Sequence, residues 1–122
     1  IARRTGVSAY IDDGANRWPA VHRLDAARLF RLALEHAAPG ARLHAVAEEG
    51  VALCAIAQAI GAGLGVPVRS LAKDEAGTHF DWLAGFVAID NPTSSSLTRE
   101  ALGWSPKESG LLTDMKESGY FQ

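Results

Sequence analysis

One cysteine and one methionine occur among 122 residues, and little else in the chain is strongly biased. A single thiol, Cys54, excludes an internal disulfide and any cysteine-based zinc cluster. Neither charge sign dominates: 12 basic against 14 acidic residues leave a net charge of −2, so no basic field exists for nucleic acid or an anionic membrane. No apolar run reaches the ~18 residues needed to span a bilayer. There is no Gly-x-Ser-x-Gly elbow, and none of His22, His36, His44 and His79 pairs with another at ligand spacing. These absences leave a reducing, cytoplasmic setting as the expectation, with neither nucleic acid nor membrane as partner.

What is present is ordinary for a folded chain: 48% apolar and 21% charged residues, with 12 glycines and 5 prolines. The length allows one domain at most, burying roughly 65% of its unfolded surface. The chain opens on Ile1, and its methionine is Met115. We therefore expect residues 1–122 to be a single segment of a larger fold.

Residues 1–5 read as a last helical turn closed by Gly6. Val7 to Ile11 is a strand candidate that ends at the turn signal Asp12-Asp13-Gly14. Asp25 is placed to cap a helix over residues 26–38, with Leu29, Phe30, Ala33, Leu34 and Ala37 as its apolar stripe and Pro39-Gly40 as its stop. Arg42 to Val46 suggests a second strand, and Glu48-Glu49-Gly50 a turn. A helix from Leu53 to about Ala62 follows without a polar N-cap, since Val51 and Ala52 stand there. Pro67 to Leu71 is a third strand candidate, residues 74–87 a helix, and residues 97–102 a helix capped by Ser96 or a neighbour and closed by Gly103. Residues 111–117 could add a last turn or two. Strands and helices alternate, which is α/β. Three short strands make an incomplete sheet for so many helices, so further strands are expected from elsewhere.

Most chemistry-bearing groups have a structural explanation. Gly61, Gly63 and Gly65 follow a helix, whereas a phosphate cradle must precede one, so they read as a helix stop. Ser94, Ser95 and Ser96 read as loop and cap; only an unrelated hydrolase would need them as nucleophiles. Cys54 reads as a small helix residue, His36 as a cation at a helix C-terminus, and the pairs Asp12-Asp13 and Glu48-Glu49 as solvated turn acids. One segment stands apart. Asn16 to Asp25 places a guanidinium, an indole and an imidazole on irregular backbone before a helix. Arg17 can grip a carboxylate or phosphate at two points, and Trp18 can stack on a planar ligand. Equally, Trp18 can fill the core with Arg17 as its cover.

The same segment, Asp13-Gly14 through Arg17, Val21-His22 and Asp25-Ala-Ala, is similar to the G-x-G…R…V-H-V-x-D-x-A stretch of extended short-chain dehydrogenases. Leu43 to Gly50 resembles that family's last core strand, Ile56-Ala57 through Gly65-Val66-Pro67-Val68 its following helix and strand, and Leu102-Gly103-Trp104-Ser-Pro106 its tail. The resemblance covers nearly the whole chain. It implies the C-terminal part of a Rossmann-type NAD(P)-dependent oxidoreductase, epimerase or dehydratase, with NAD or NADP bound by the parent and none by this chain alone. No Tyr-x-x-x-Lys pair occurs here, so the resemblance implies no catalytic residue among the 122 and an inactive chain by itself. Sugar-nucleotide members place an Arg four residues before the motif His; this chain has Trp18 there and Arg17 one residue earlier. By the resemblance, Arg17, Trp18 and His22 line the substrate pocket. The partners would be a small-molecule substrate and either the missing N-terminal Rossmann portion or a second copy. The alternative is a self-standing α/β binding module without activity, pairing with another copy through residues 42–46.

Overall fold

A computed structural model describes all residues, 1–122. In chain order the elements are α1 (Ala2–Thr5), β1 (Ser8–Ile11), β2 (Arg17–Ala20), α2 (Arg23–His36), β3 (Glu48–Ala52), α3 (Leu53–Leu64), β4 (Val68–Leu71), α4 (Ala76–Phe80), α5 (Ala84–Val87), α6 (Ser96–Leu102) and α7 (Leu111–Glu117). The fold is mixed α/β. Its strands form two separate pairs: β1 lies parallel to β4, and β2 antiparallel to β3. No helix is long and apolar enough to cross a membrane.

The parallel pair is in register from Ser8↔Val68 to Ile11↔Leu71. It carries the core, in which Ala9, Ile11, Leu53, Ala76, Phe80 and Val87 are buried together. Two layers cover it. The helix α3 packs on β1 through Ala57, whose carbonyl accepts the buried Ser8 hydroxyl at 2.8 Å. The segment from α4 to α5 supplies Phe80 and Val87 from beyond.

Several local expectations hold. Gly6, Gly65 and Gly103 close α1, α3 and α6 in the left-handed region. The helix α3 indeed lacks a side-chain cap, and the reason is tertiary: the carbonyls of Asn16 and Gly14 accept the amides of Leu53 and Cys54 at 2.9 and 3.0 Å. A loop thus satisfies the donors that a Ser or Asp would otherwise take.

Other expectations are corrected. The strand lies at Glu48–Ala52, not at residues 42–46, and Glu48-Glu49-Gly50 belongs to it rather than to a turn. Residues 42–47 run irregularly and are held mainly by side chains around α6. Thr98 accepts the His44 amide at 2.8 Å, Ser95 donates to the Val46 carbonyl at 2.5 Å, and Arg99 donates to the carbonyls of Val46 and Ala47. The helix expected over residues 74–87 is broken into α4 and α5 by 3₁₀ turns, with Asp81 at φ 53°. The stripe assigned to α2 is also rotated. Leu29 is buried, while Phe30 and Leu34 stand 70% and 89% exposed. The inward direction is set by Asp25, which is fully buried.

Candidate functional site

The α2 entry is built around that aspartate. Asp25 lies in the first turn rather than at the cap, which is His22. Its carboxylate accepts the backbone amides of Lys107 and Glu108 at 2.8 and 3.0 Å and pairs with Arg28, while its own carbonyl accepts the Trp104 indole N–H at 3.0 Å. Arg28 bridges onward to Glu108 at 2.8 Å. Burial alone would raise the Asp25 pKa, but the two amides and the guanidinium outweigh it and hold the carboxyl below its ordinary value. Asp25 is therefore a stitch between α2 and the C-terminal segment, a role its local spacing does not reveal.

Arg17 lies on β2 and meets Asp90 from the loop after α5. The guanidinium reaches both carboxylate oxygens, Nε at 3.1 Å and Nη2 at 2.9 Å, and the Arg17 amide donates to the same group at 2.7 Å. These bonds lower the Asp90 pKa and raise that of Arg17. Both side chains remain about half exposed, at 49% and 46%. The pair is a two-point carboxylate grip already filled by the chain's own carboxylate.

Trp18 is half-buried beside it and donates its indole N–H to the Ile89 carbonyl at 3.1 Å. Asn16 donates to the carbonyls of Val87 and Ile89 at 2.9 and 3.1 Å, so Asn16, Arg17 and Trp18 together clamp residues 87–90. Trp18 lines a cavity of about 400 Å³ with Ala9, Ile56, Phe80, Leu83 and Val87. It also borders a shallow pocket with Pro19, Phe86, Ile89 and Asn91. His79 also lines the larger cavity, and burial, with the N-terminal charge and Arg4, holds its pKa below the ordinary value.

His22 goes elsewhere. Its Nδ1 accepts the Leu24 amide at 3.2 Å, which caps α2 and leaves the proton of the neutral ring on Nε2. That nitrogen faces Asp114 Oδ1 at 3.5 Å. Asp114 also accepts from Ser118 at 2.5 Å and from Tyr120 at 3.1 Å. The small pocket there, about 90 Å³, includes Ser109 and Leu111 and shares no residue with the cavity beside Trp18. The structure thus brings Arg17 and Trp18 together and separates His22 from both. Asp90 and Asn16 join the Arg17 neighbourhood. Asp90 lies 73 residues from Arg17 in a loop that reads as an ordinary Asp-Asn-Pro turn, so no local signal marks it.

No three His, Cys, Asp or Glu side chains gather as a metal site. Gly61 and Gly63, expected with Gly65 to stop the helix, lie inside α3 and are closely packed, and Gly65 alone closes it. A Cβ at Gly61 would meet Val68 at 2.4 Å, and one at Gly63 would meet Phe121 at 2.1 Å. Ser95 is buried on the Val46 carbonyl and Ser94 accepts the Ser96 amide, so these hydroxyls serve the loop.

The chain is 53% identical over 121 residues to an uncharacterized protein of Schizosaccharomyces pombe, a match covering 99% of this chain and 41% of that protein. It is 48% identical over 116 residues to an uncharacterized protein of Saccharomyces cerevisiae, covering 95% of this chain and 39% of that one. The chain therefore spans about two fifths of the length of the curated relatives it matches. No family model and no solved structure matches it.

Proposed function

We propose that these residues are the substrate-binding, C-terminal portion of an NAD(P)-dependent oxidoreductase, epimerase or dehydratase of the extended short-chain dehydrogenase type. One observation carries the reading. Strands β1 and β4 run parallel and are joined by a crossover through α2 and α3, yet the sheet stops at two strands. Parallel strands belong to larger sheets with helices on both faces, because each strand needs a neighbour and a cover. A Rossmann-type sheet continued by other chain answers that need. In this reading Arg17 and Trp18, at the start of β2, are the substrate-side groups. NAD or NADP is held outside these residues, together with the catalytic groups.

The experiment uses the full fission-yeast relative. Purified protein is titrated with NADH and with NADPH, following nicotinamide fluorescence, with the 122-residue chain as comparison. We expect saturable binding of one dinucleotide by the relative and none by the chain alone. No binding of either by the relative overturns the proposal. The reading as a self-standing binding module draws on the Asp25 network, which ties α2 to the C-terminal segment with no outside group. It is favoured if the chain alone melts cooperatively as a monomer and the relative binds no dinucleotide.

A further inference from the structure

The free edge of β1 opens into an apolar cavity. Ser8 donates its amide to Pro67 at 3.0 Å and Asp12 donates to Leu71 at 2.9 Å, so alternate residues of β1 are spent on β4. The period of a strand is two, which turns the amides of Ala9 and Ile11 and the Ala9 carbonyl to the other side. The Ile11 carbonyl on that side is taken by Gly14 at 2.9 Å, which ends the edge there. Ala9 and Ile11 are buried, at 8% and 3% exposure, and a buried main-chain polar group without a partner is costly.

The cavity of about 400 Å³ meets this edge at its start, at Val7, Ser8 and Ala9. Val7, Ser8 and Ala9 form its floor, α3 contributes one wall through Ile56 and Ile60, and the segment α4–α5 contributes the other through Phe80 and Val87. Fourteen of its seventeen lining residues are apolar, so an occupant must be apolar on both faces while offering main-chain hydrogen bonds at its rim. A β-strand buried on both faces has that chemistry.

We infer that a further β-strand, apolar on both faces, seats between α3 and α4–α5 and pairs with Ala9 and Ile11 of β1, and that it comes from the part of the full-length protein outside these residues. A second copy does not supply it. The other open edges of this chain are polar, with Arg69 and Ser70 exposed on β4 and Glu49 exposed on β3. Its β1 lies at the bottom of its own slot and cannot enter another. By contrast, the match covers 41% of the fission-yeast relative, and the larger, unmatched part can provide such a strand. The inference concerns the sheet and stands apart from any dinucleotide chemistry.

The test is amide hydrogen exchange. The 122-residue chain is measured alone, and again when co-expressed with the unmatched remainder of the fission-yeast relative as a separate polypeptide. In the pair, the amides of Ala9 and Ile11 should exchange as slowly as those of Tyr10 and Asp12. In the chain alone they should exchange about 100-fold faster or more than in the pair. Failure of the two polypeptides to associate overturns the inference. So does a pair in which only Tyr10 and Asp12 are slow, or a chain whose Ala9 and Ile11 are already slow alone. Protection that instead rises with the concentration of the chain itself overturns it in favour of a second copy. If Tyr10 and Asp12 are unprotected in the chain alone, the comparison of all four amides within the pair still decides. An Ala9→Pro variant, which removes one of the edge donors, should weaken association at least tenfold. A pair that forms but binds no NAD(P)H removes the oxidoreductase reading and leaves this one standing.

Discussion

Asp25 accepts the backbone amide of Lys107 at 2.8 Å, across 82 positions of sequence. The carboxylate is wholly buried and is shared with the Glu108 amide and with Arg28. A single side chain therefore joins the first turn of α2 to the chain between α6 and α7, with the buried Trp104 as the neighbouring bolt.

Replacing Asp25 with Ala strands two amides and one guanidinium. Breaking a buried charged network from one side costs roughly 3–5 kcal/mol, a large part of the stability of a domain this size. We expect Asp25→Ala to lower the urea midpoint severely and Asp25→Asn, which keeps an acceptor oxygen, to lower it less. Equal midpoints for wild type and Asp25→Ala would remove the network from the account of stability.

Acid should act through the same groups. The carboxyls of Asp25, Asp90 and Asp114 are all held below their ordinary value. For Asp25 the amides and Arg28 overcome the effect of burial, for Asp90 the bonds from Arg17 do so, and for Asp114 the Ser118 hydroxyl leads. A depressed carboxyl adds stability above its unfolded pKa, about 3.9, and loses it as pH falls through the folded value. Urea melts at pH 6, 4 and 3 should show a midpoint that changes little to pH 4 and drops below it. Asp25→Asn should flatten that drop. A midpoint independent of pH across the range contradicts the assignment.

Gly61 offers a test of packing against propensity. Alanine is the better helix former by about 1 kcal/mol, and Gly61 lies inside α3. Its Cβ, however, would meet Val68 at 2.4 Å and the Val66 carbonyl at 3.1 Å. Overpacking of this kind costs roughly 1–3 kcal/mol, so Gly61→Ala should lower the melting temperature despite the gain in propensity. A raised melting temperature would show that β4 yields at no cost.

The helices are the most legible part of the sequence. The stops at Gly6, Gly65 and Gly103 and the extent of α7 follow from local rules, because a helix closes its hydrogen bonds within its own segment. The strand at Glu48–Ala52 is not legible, because its partner, Arg17–Ala20, lies some 30 residues away and the pairing overrides a turn-like Glu-Glu-Gly. The break at Asp81 is also hidden, since apolar spacing through Trp82 and Phe86 continues across it. At the candidate site, the segment Asn16–Asp25 is visible as unusual, but its division is not. Arg17 goes to Asp90, Trp18 to the cavity, His22 to Asp114 and Asp25 to Lys107. Each partner comes from a distant stretch that carries no mark of its role.

Composition and spacing by themselves determined an α/β chain of short strands and capped helices, with one thiol, no disulfide and no phosphate cradle ahead of a helix. These are properties of neighbours along the chain, where the interacting groups are at most a few residues apart. Only the tertiary structure decided which face of α2 turns inward, which carboxylate fills the grip of Arg17, and that the second edge of β1 faces an apolar slot. Those outcomes depend on burying charge with its partner and apolar surface with its like, and the partners are chosen in space rather than in sequence.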